Sequence, residues 1–277
     1  MILTISPSGL NTAQECPTKY NFSSIRRLSQ IGAKRDKMDQ GSLFHEMLEM
    51  HYNLIISQKE NPELALNEII MAVTELAREK NRNDEYDHEI VEACIRNYQE
   101  YAVYYADDGW SPLKVETPFT KEIFKNDQHT IVMEGIIDLI TENLNSKAFP
   151  VDHKTESKIS YPTILSNQFT CYAWATESDT IVKNRIGFQT SKGPGDRFHR
   201  DVLSYTKEHI EEWRESVIYH SMELIRFIEK DYFPMREVNC WNCWFKKICE
   251  ATPDAREYTI IRDFTVRAPH NIYDKRT

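Results

Sequence analysis

Two acidic residues and a lysine stand in two nearby segments whose composition predicts β-strands. Asp138 lies in an apolar run, and Asp152 and Lys154 follow in the next such segment. Side chains alternate between the two faces of a strand, so Asp138 shares a face with Ile136 and Ile140, and Asp152 shares one with Lys154. If the two strands are neighbours, two carboxylates and one ammonium group meet at one place.

This combination of groups suits a divalent metal ion. Two carboxylates that close repel each other unless a cation lies between them, and Mg²⁺ prefers carboxylate, water and phosphate oxygens. A lysine beside such an ion can orient a water molecule or stabilise negative charge on a phosphate. The alternative is a solvated ion pair, because an Asp-x-Lys pattern is short and common. Both acids adjoin core-forming sequence, where isolated carboxylates are rare, and this favours the metal site.

Further residues are candidates for the same site. His45 lies in a predicted amphipathic helix, where it is either a structural histidine or another metal ligand. Gln168 and Tyr172 are four residues apart in a second predicted helix and therefore share one of its faces. Glu116 is a weaker candidate, because two more glutamates compete with it: Glu122 and Glu134.

The cysteines predict a second, structural metal centre. Cys240, Cys243 and Cys249 form a C-x2-C-x5-C cluster, which is typical of metal binding. The natural fourth ligand is Cys16, which precedes a proline, because the remaining cysteines lie in predicted helices where small buried thiols are common: Cys94 and Cys171. Zn²⁺ is the generic expectation for four cysteines, and a [4Fe–4S] cluster needs the same four thiolates.

The elements that position these residues follow from the spacing of the apolar side chains. A helical section over about 40–110 comes first, with three predicted helices: from Ser42, about 62–80 and about 85–105. Strands are predicted over five ranges: 115–124, 129–140, 147–154, 183–190 and 198–204. Two more helices are predicted, from Ser160 to about Ala175 and from Thr206 to about Lys230. The order favours a mixed α/β (α+β) fold in a single domain of residues 1–277, with its sheet core over about 111–205.

Composition limits the class of protein. The chain has 277 residues, with 34 Lys and Arg against 43 Asp and Glu, and its formal net charge is −9. That charge argues against a protein that coats nucleic acid by bulk electrostatics. No apolar run approaches the roughly 18 residues of a membrane span, and no secretory signal is visible. We therefore expect a cytoplasmic protein whose six cysteines are ligands or buried thiols.

Taken together, these residues resemble the PD-(D/E)XK nuclease superfamily, specifically its RecB-like branch with an iron–sulfur staple. That branch includes CRISPR-associated RecB-like exonucleases and the nuclease domain of AddB-type helicase–nucleases. The matching segments run nearly end to end: SPSGLNTAQECPTKY, GSLFH, GIID, VDHK, QFTCY and FPMREVNCWNCWFKKIC. Their order and the one-plus-three split of the cysteines make the combination specific. The resemblance implies a restriction-endonuclease-like central mixed sheet flanked by helices, with a C-terminal cysteine-rich cluster segment.

The resemblance also implies divalent-metal-dependent hydrolysis of DNA, usually by an exonuclease on single strands or ends. By position, His45, Asp138 and Asp152 would bind Mg²⁺ or Mn²⁺, together with the backbone carbonyl of His153. Lys154 would position the attacking water. Many relatives carry Glu where this chain has Asp152, and the shorter side chain alters the metal geometry.

Two further roles follow from the same resemblance. Gln168 and Tyr172 would support the site and the DNA strand. The four thiolates would bind a [4Fe–4S] cluster rather than Zn²⁺: Cys16, Cys240, Cys243 and Cys249.

DNA is therefore the expected partner, despite the acidic balance. Basic residues cluster near the N-terminus and around the Ser-Lys-Gly-Pro-Gly-Asp loop, and four of them are candidates for DNA contact: Lys34, Arg35, Lys192 and Arg197. The expected setting is a bacterial, archaeal or phage-infected cell. The alternative function is a protein of the same fold that binds DNA ends, or a recombination, replication or CRISPR-adaptation partner, with little or no cleavage. The complete set of Asp138, Asp152 and Lys154 speaks against it.

Overall fold

The computed structural model of the chain describes most of its length. The described residues are 1–32, 36–58, 65–143, 147–156, 164–189, 191–269 and 272–273. Lys34 and Arg35, two of the residues predicted to contact DNA, lie outside these ranges.

The chain divides into two compact units, each assembled from separate segments. Unit 1 comprises Met1–Lys34, Pro118–Gly135 and Glu208–Thr277, and unit 2 comprises Arg35–Thr117 and Ile136–Lys207. Helices and strands both occur along the whole chain, in keeping with the predicted mixed α/β class.

The strands of the described residues, in chain order, are β1 (Ile2–Ile5), β2 (Leu28–Gln30), β3 (Ser111–Lys125), β4 (Thr130–Glu142), β5 (Ala148–Glu156), β6 (Thr180–Gly187), β7 (Phe198–Ser204) and β8 (Phe264–Val266). The α-helices are α1 (Pro7–Glu15), α2 (Pro17–Tyr20), α3 (Asp36–Gln58), α4 (Leu66–Arg82), α5 (His88–Tyr104), α6 (Asn167–Thr176), α7 (Pro194–Arg197), α8 (Lys207–Glu229), α9 (Lys246–Glu250) and α10 (Arg256–Asp263). A π-helical turn follows α2 at Asn21–Ile25. None of the described helices is long and apolar enough to cross a membrane.

Unit 2 is built on a mixed sheet. The later part of β4 runs antiparallel to β5, β5 runs parallel to β6, and β6 runs antiparallel to β7. Helices cover both faces of β5: α3 packs on the face that carries His153, and α6 packs where Tyr172 approaches the carboxylate of Asp152. The predicted fold class, a central mixed sheet flanked by helices, is confirmed.

The core of unit 2 lies between α3, α4, α5 and one face of this sheet. It is formed by apolar side chains that are almost completely buried, among them Leu43, Phe44, Met47, Leu48, Val73, Val91, Val151, Val182 and Ile186. Their spacing of three and four residues on the helices and of two residues on the strands is the pattern that gives each element one apolar face. Burial of these faces holds α3 against the sheet.

Unit 1 brings together segments that are distant in the sequence. Strand β1 pairs in parallel with the first residues of β4, and β2 pairs antiparallel with β8. A small core packs β2 and β8 against the π-helical turn, α9 and α10; it is formed by Phe22, Leu28, Phe245, Ile248, Ile260 and Phe264.

Most predicted elements are found, with shifted ends. The helix predicted from Ser160 begins at Asn167, because the Ser166 side chain accepts the N–H of Phe169 and caps the helix there; the predicted residues 160–163 lie outside the described part of the chain. The strand predicted over 183–190 spans Thr180–Gly187. Strand β1 and helix α1 were not predicted, although Ser6 followed by Pro7 is a recognisable helix start.

Candidate active site

Helix α3 approaches strand β5 closely at Gly41. A Cβ atom at this position would lie 3.1 Å from Thr155 Oγ1, so only glycine fits without displacing a neighbour. His45 follows four residues later, about one helical turn, and its Nδ1 lies 3.7 Å from Asp138 Oδ2. The glycine thus allows the helix to bring an imidazole to the acidic residues of the sheet.

Strands β4 and β5 place the two predicted acids opposite each other. The register pairs Leu139 with Val151, so the next pair along the antiparallel ladder is Asp138 and Asp152. Asp138 is 6% exposed and Asp152 is 0% exposed, which contradicts a solvated pair. The backbone N–H of His153 donates to Asp138 Oδ2 at 2.8 Å and orients that carboxylate.

Lys154 neutralises part of this buried charge. Its Nζ lies 3.0 Å from Asp152 Oδ1 and 2.9 Å from Asp152 Oδ2. Burial raises the pKa of Asp152 to about 6, and the nearby Asp138 carboxylate adds to the rise, while Lys154 opposes it. Burial works against the Lys154 ammonium, but the two carboxylates outweigh it and the pKa of Lys154 is raised. The site therefore holds an excess of carboxylate over cation, as a metal site does before it binds its ion.

A further candidate oxygen ligand is Glu116 on β3. One ligand atom from each of His45, Glu116 and Asp138 lies within 4.8 Å of the others, a grouping that can hold a metal ion. Glu116 has φ +42°, a left-handed conformation within a strand. By sequence alone Glu116 is a weaker candidate than the other residues of the site. A left-handed φ at a non-glycine residue cannot be recognised from the sequence. The predicted ligand Asp152 lies in the same site, and both of its carboxylate oxygens contact Lys154 Nζ.

Gln168 and Tyr172 lie on one face of α6, as their spacing predicts. Tyr172 Oη donates to the backbone carbonyl of Ile136 at 2.7 Å, and Gln168 Nε2 donates to Tyr172 Oη at 3.0 Å. Burial raises the pKa of Tyr172 well above its usual value, with Asp152 and Asp138 adding to the rise, so the phenol stays protonated and remains a donor. These contacts hold the main chain of β4 at Ile136, two residues before Asp138.

The four cysteines predicted as ligands line one cavity in unit 1. Its volume is about 310 Å³, and all four contribute to its wall: Cys16, Cys240, Cys243 and Cys249. Burial raises the pKa of Cys249 to about 11, and the other three cysteines add to the rise. A cationic group would offset this repulsion between thiolates.

The spacing of the thiols bears on the size of that group. Among the described residues, the sole set of three or more His, Cys, Asp or Glu ligand atoms within 4.8 Å of one another is the one around Asp138, so no three of the four sulfurs are that close. Tetrahedral Zn²⁺ at 2.3 Å from each sulfur would hold the sulfurs about 3.8 Å apart. In this structure the four sulfurs are therefore more widely spaced than the ligands of a bound Zn²⁺.

The other two cysteines are core residues, as predicted. Cys94 and Cys171 are fully buried in unit 2, and burial raises the pKa of Cys94 to about 12. Thiols in such surroundings stay protonated and unreactive.

The two described candidates for DNA contact differ. Lys192 is exposed. Arg197 is 4% exposed; its guanidinium donates to Asn97 Oδ1 at 2.5 Å and to the carboxylate of Glu100. These bonds join α7 to α5 inside unit 2, so the Arg197 side chain serves the packing of these helices.

The sequence pattern of the PD-(D/E)XK nuclease superfamily matches residues 4–250. The chain belongs to the PD-(D/E)XK nuclease superfamily. Comparison with curated proteins finds no matching sequence. One similar solved structure is the crystal structure of SSO0001, with 13% sequence identity, a TM-score of 0.46, and coverage of 89% of this chain and 85% of that one.

Membership has direct consequences for the site. PD-(D/E)XK proteins are nucleases, which hydrolyse phosphodiester bonds with divalent metal ions, and the fold of this chain is the restriction-endonuclease-like fold of that superfamily. His45, Glu116 and Asp138 offer one nitrogen and two carboxylates, a ligand set that suits Mg²⁺ or Mn²⁺.

Proposed function

We propose that the chain is a divalent-metal-dependent DNA exonuclease that acts on single strands or ends. The observation that carries this proposal is the convergence of Asp138, Asp152 and Lys154 on one face of β4 and β5, beside His45. A purely structural role would not explain two opposed buried carboxylates where helix α3 lies close to strand β5.

The residues divide the work by position. His45, Glu116, Asp138 and Asp152 would hold Mg²⁺ or Mn²⁺, with the backbone carbonyl of His153. When bound, such an ion acts as a Lewis acid and lowers the pKa of a water molecule.

Lys154 carries the positive charge nearest to the reacting groups. Its ammonium, held by Asp152, would position the attacking water and stabilise negative charge on the phosphate. Gln168 and Tyr172 would hold β4, and through it Asp138, in place while the DNA strand is bound.

We assign the cavity of the four cysteines to a structural [4Fe–4S] cluster. Its support is the number of thiols and the cavity that all four of them line. Lys34, Arg35 and Lys192 are proposed to contact DNA, and Arg197 is left out because its guanidinium is buried on Asn97 and Glu100. We place the enzyme in the cytosol of a bacterial, archaeal or phage-infected cell, in replication, repair or CRISPR adaptation.

The test is cleavage of end-labelled linear DNA, single- and double-stranded, with Mg²⁺ or Mn²⁺. Asp152→Asn and Lys154→Met should lower the rate at least about 100-fold, whereas Asp179→Asn, an exposed aspartate of the same unit, should leave it unchanged. Circular single-stranded DNA should resist cleavage if the activity is exonucleolytic.

Three outcomes would contradict the proposal. Wild-type protein that binds DNA ends without cleaving them would favour the end-binding alternative. Equal cleavage by Asp152→Asn and wild type would remove the site assignment. Colourless, anaerobically purified protein with stoichiometric zinc would replace the cluster by Zn²⁺.

A further inference from the structure

Four polar side chains contact one another inside the core of unit 2, directly behind the candidate metal site. We call them the buried quartet: Tyr52, Tyr101, His153 and Asn184. Asn184 Nδ2 donates to His153 Nδ1 at 2.8 Å and to Tyr101 Oη at 2.8 Å. Tyr101 Oη lies 2.9 Å from Tyr52 Oη, and the Tyr52 ring stacks on the His153 imidazole with centroids 5.6 Å apart and planes at 2°.

The buried quartet places four polar side chains where a protein core normally holds hydrocarbon. Asn184 is 0% exposed, and the other three members are at most 3% exposed. Their neighbours are the aliphatic and aromatic side chains of the unit 2 core and the buried guanidinium of Arg200, which is hydrogen-bonded to Tyr101. Polar groups there cost free energy unless hydrogen-bonded, and well-packed hydrocarbon of the same volume is often at least as stable. Arg200 gives Tyr101 a structural partner, whereas fold stability alone gives no reason for the pair of Asn184 and His153.

The buried quartet includes residues of the two elements that carry His45, Asp152 and Lys154, namely α3 and β5. His153 lies between Asp152 and Lys154 on β5, and alternation points its imidazole to the core while its neighbours point to the site. The His153 backbone N–H donates to Asp138 Oδ2 at 2.8 Å. Tyr52 lies seven residues after His45 on α3, two helical turns along the same face.

The partners of His153 come from two further elements. Asn184 lies on β6 directly opposite His153 in the parallel register. Tyr101 lies on α5 and connects Asn184 to Tyr52. Displacement of the His153 imidazole would therefore move the main chain that presents Asp152, Lys154 and the N–H on Asp138.

We propose that Asn184 is a positioning residue of the metal site, and that Tyr101 supports it. Asn184 holds the His153 imidazole, the imidazole holds the peptide groups of β5, and these orient Asp138 and Asp152 toward the ion. The inference rests on the proposed function, because it assumes a metal ion at these carboxylates. Loss of hydrogen-bonded partners behind metal ligands typically weakens metal affinity by about 10- to 100-fold.

The experiment measures Mn²⁺ binding directly, by isothermal titration calorimetry without DNA, together with thermal unfolding. Asn184→Leu should raise the Mn²⁺ Kd about tenfold or more, and Tyr101→Phe, which removes one hydroxyl, should raise it about threefold or more. The matched control is Tyr98→Phe. Tyr98 is fully buried in the same core, and its hydroxyl lies 2.9 Å from His51 Nδ1, a bond that does not include His153. Tyr98→Phe should lower the unfolding temperature and leave the Mn²⁺ Kd within about twofold of the wild-type value.

The outcomes separate this inference from the proposed function. Wild-type protein that binds no Mn²⁺ would overturn both. Wild-type binding that folded Asn184→Leu retains would overturn the inference alone, as would an equal loss of affinity in Tyr98→Phe. If Asn184→Leu does not fold, Tyr101→Phe decides, and an unchanged Kd in that variant rejects the positioning role.

Discussion

Glu116 combines a strained backbone with a carboxylate at the candidate metal site. Its φ of +42° lies in the left-handed region, which costs a non-glycine residue on the order of 1–2 kcal/mol. Such conformations persist where the surroundings enforce them, and they concentrate at functional sites. At Glu116 the unusual conformation accompanies a carboxylate oxygen within 4.8 Å of the ligand atoms of His45 and Asp138.

This arrangement predicts that Glu116 contributes to metal affinity. Glu116→Gln keeps the shape of the side chain and removes the charge of a proposed ligand, so the Mn²⁺ Kd should rise about tenfold or more. Glu122→Gln changes an exposed glutamate of the same strand and should leave the Kd unchanged. Calorimetric titration with Mn²⁺ measures both, and equal affinities in the two variants would return Glu116 to a structural role.

At the scale of elements, the site depends on how closely α3 approaches β5. Gly41 sits where a Cβ would meet Thr155 Oγ1 at 3.1 Å, and His45 follows one turn later. A helix gains stability when an interior glycine becomes alanine, by about 0.5–1 kcal/mol. Glycine at this position therefore lowers the stability of helix α3 and allows α3 to lie close to β5.

Gly41→Ala should consequently slow DNA cleavage by about tenfold, because it displaces α3 and moves His45 away from Asp138. Thr155→Ala removes the obstructing oxygen and should have little effect alone. The double variant Gly41→Ala/Thr155→Ala should recover most of the wild-type rate. Steady-state cleavage of labelled DNA measures all three, and a double variant as slow as Gly41→Ala would show that the clash is not the cause.

The elements also show which parts of the site a sequence reveals. The period of two in β4 and β5 predicted that Asp138 and Asp152 meet, because alternation and strand pairing are local properties. Asn184 gave no such signal, since a polar residue in a strand is expected to face solvent, and only the packing of α5 on the sheet buries it. Glu116 was underestimated for the same reason, because its position depends on a backbone conformation set by tertiary contacts.

At the scale of the whole chain, unit 1 joins the two ends of the sequence through several independent contacts. Strand β2 pairs with β8, and Arg26 forms a bidentate ion pair with Glu257 at 2.9 Å. Thr18 Oγ1 donates to the Phe233 carbonyl at 2.8 Å. Cys16 and the three later cysteines add a covalent connection to this set if they bind a common group.

A group bound by Cys16 and Cys240 closes a loop of most of the chain, and closure of long loops contributes about 3–5 kcal/mol in the chain-entropy model. The other contacts between the two ends of the sequence remain when the group is lost. Unit 1 should therefore become less stable but stay folded. Cys16→Ser should lower the free energy of unfolding by about 2–4 kcal/mol, as much as Cys243→Ser does, with a parallel loss of bound iron.

Cys94→Ser is the control for this prediction, because it changes a buried thiol of unit 2 that lies outside the cavity of the four cysteines. It should retain the iron even though it introduces a hydroxyl into the core. Urea unfolding and iron analysis of the three variants test the assignment. Because the thiols are equivalent ligands in the proposed cluster, a Cys16→Ser protein with full iron content would place the fourth ligand elsewhere.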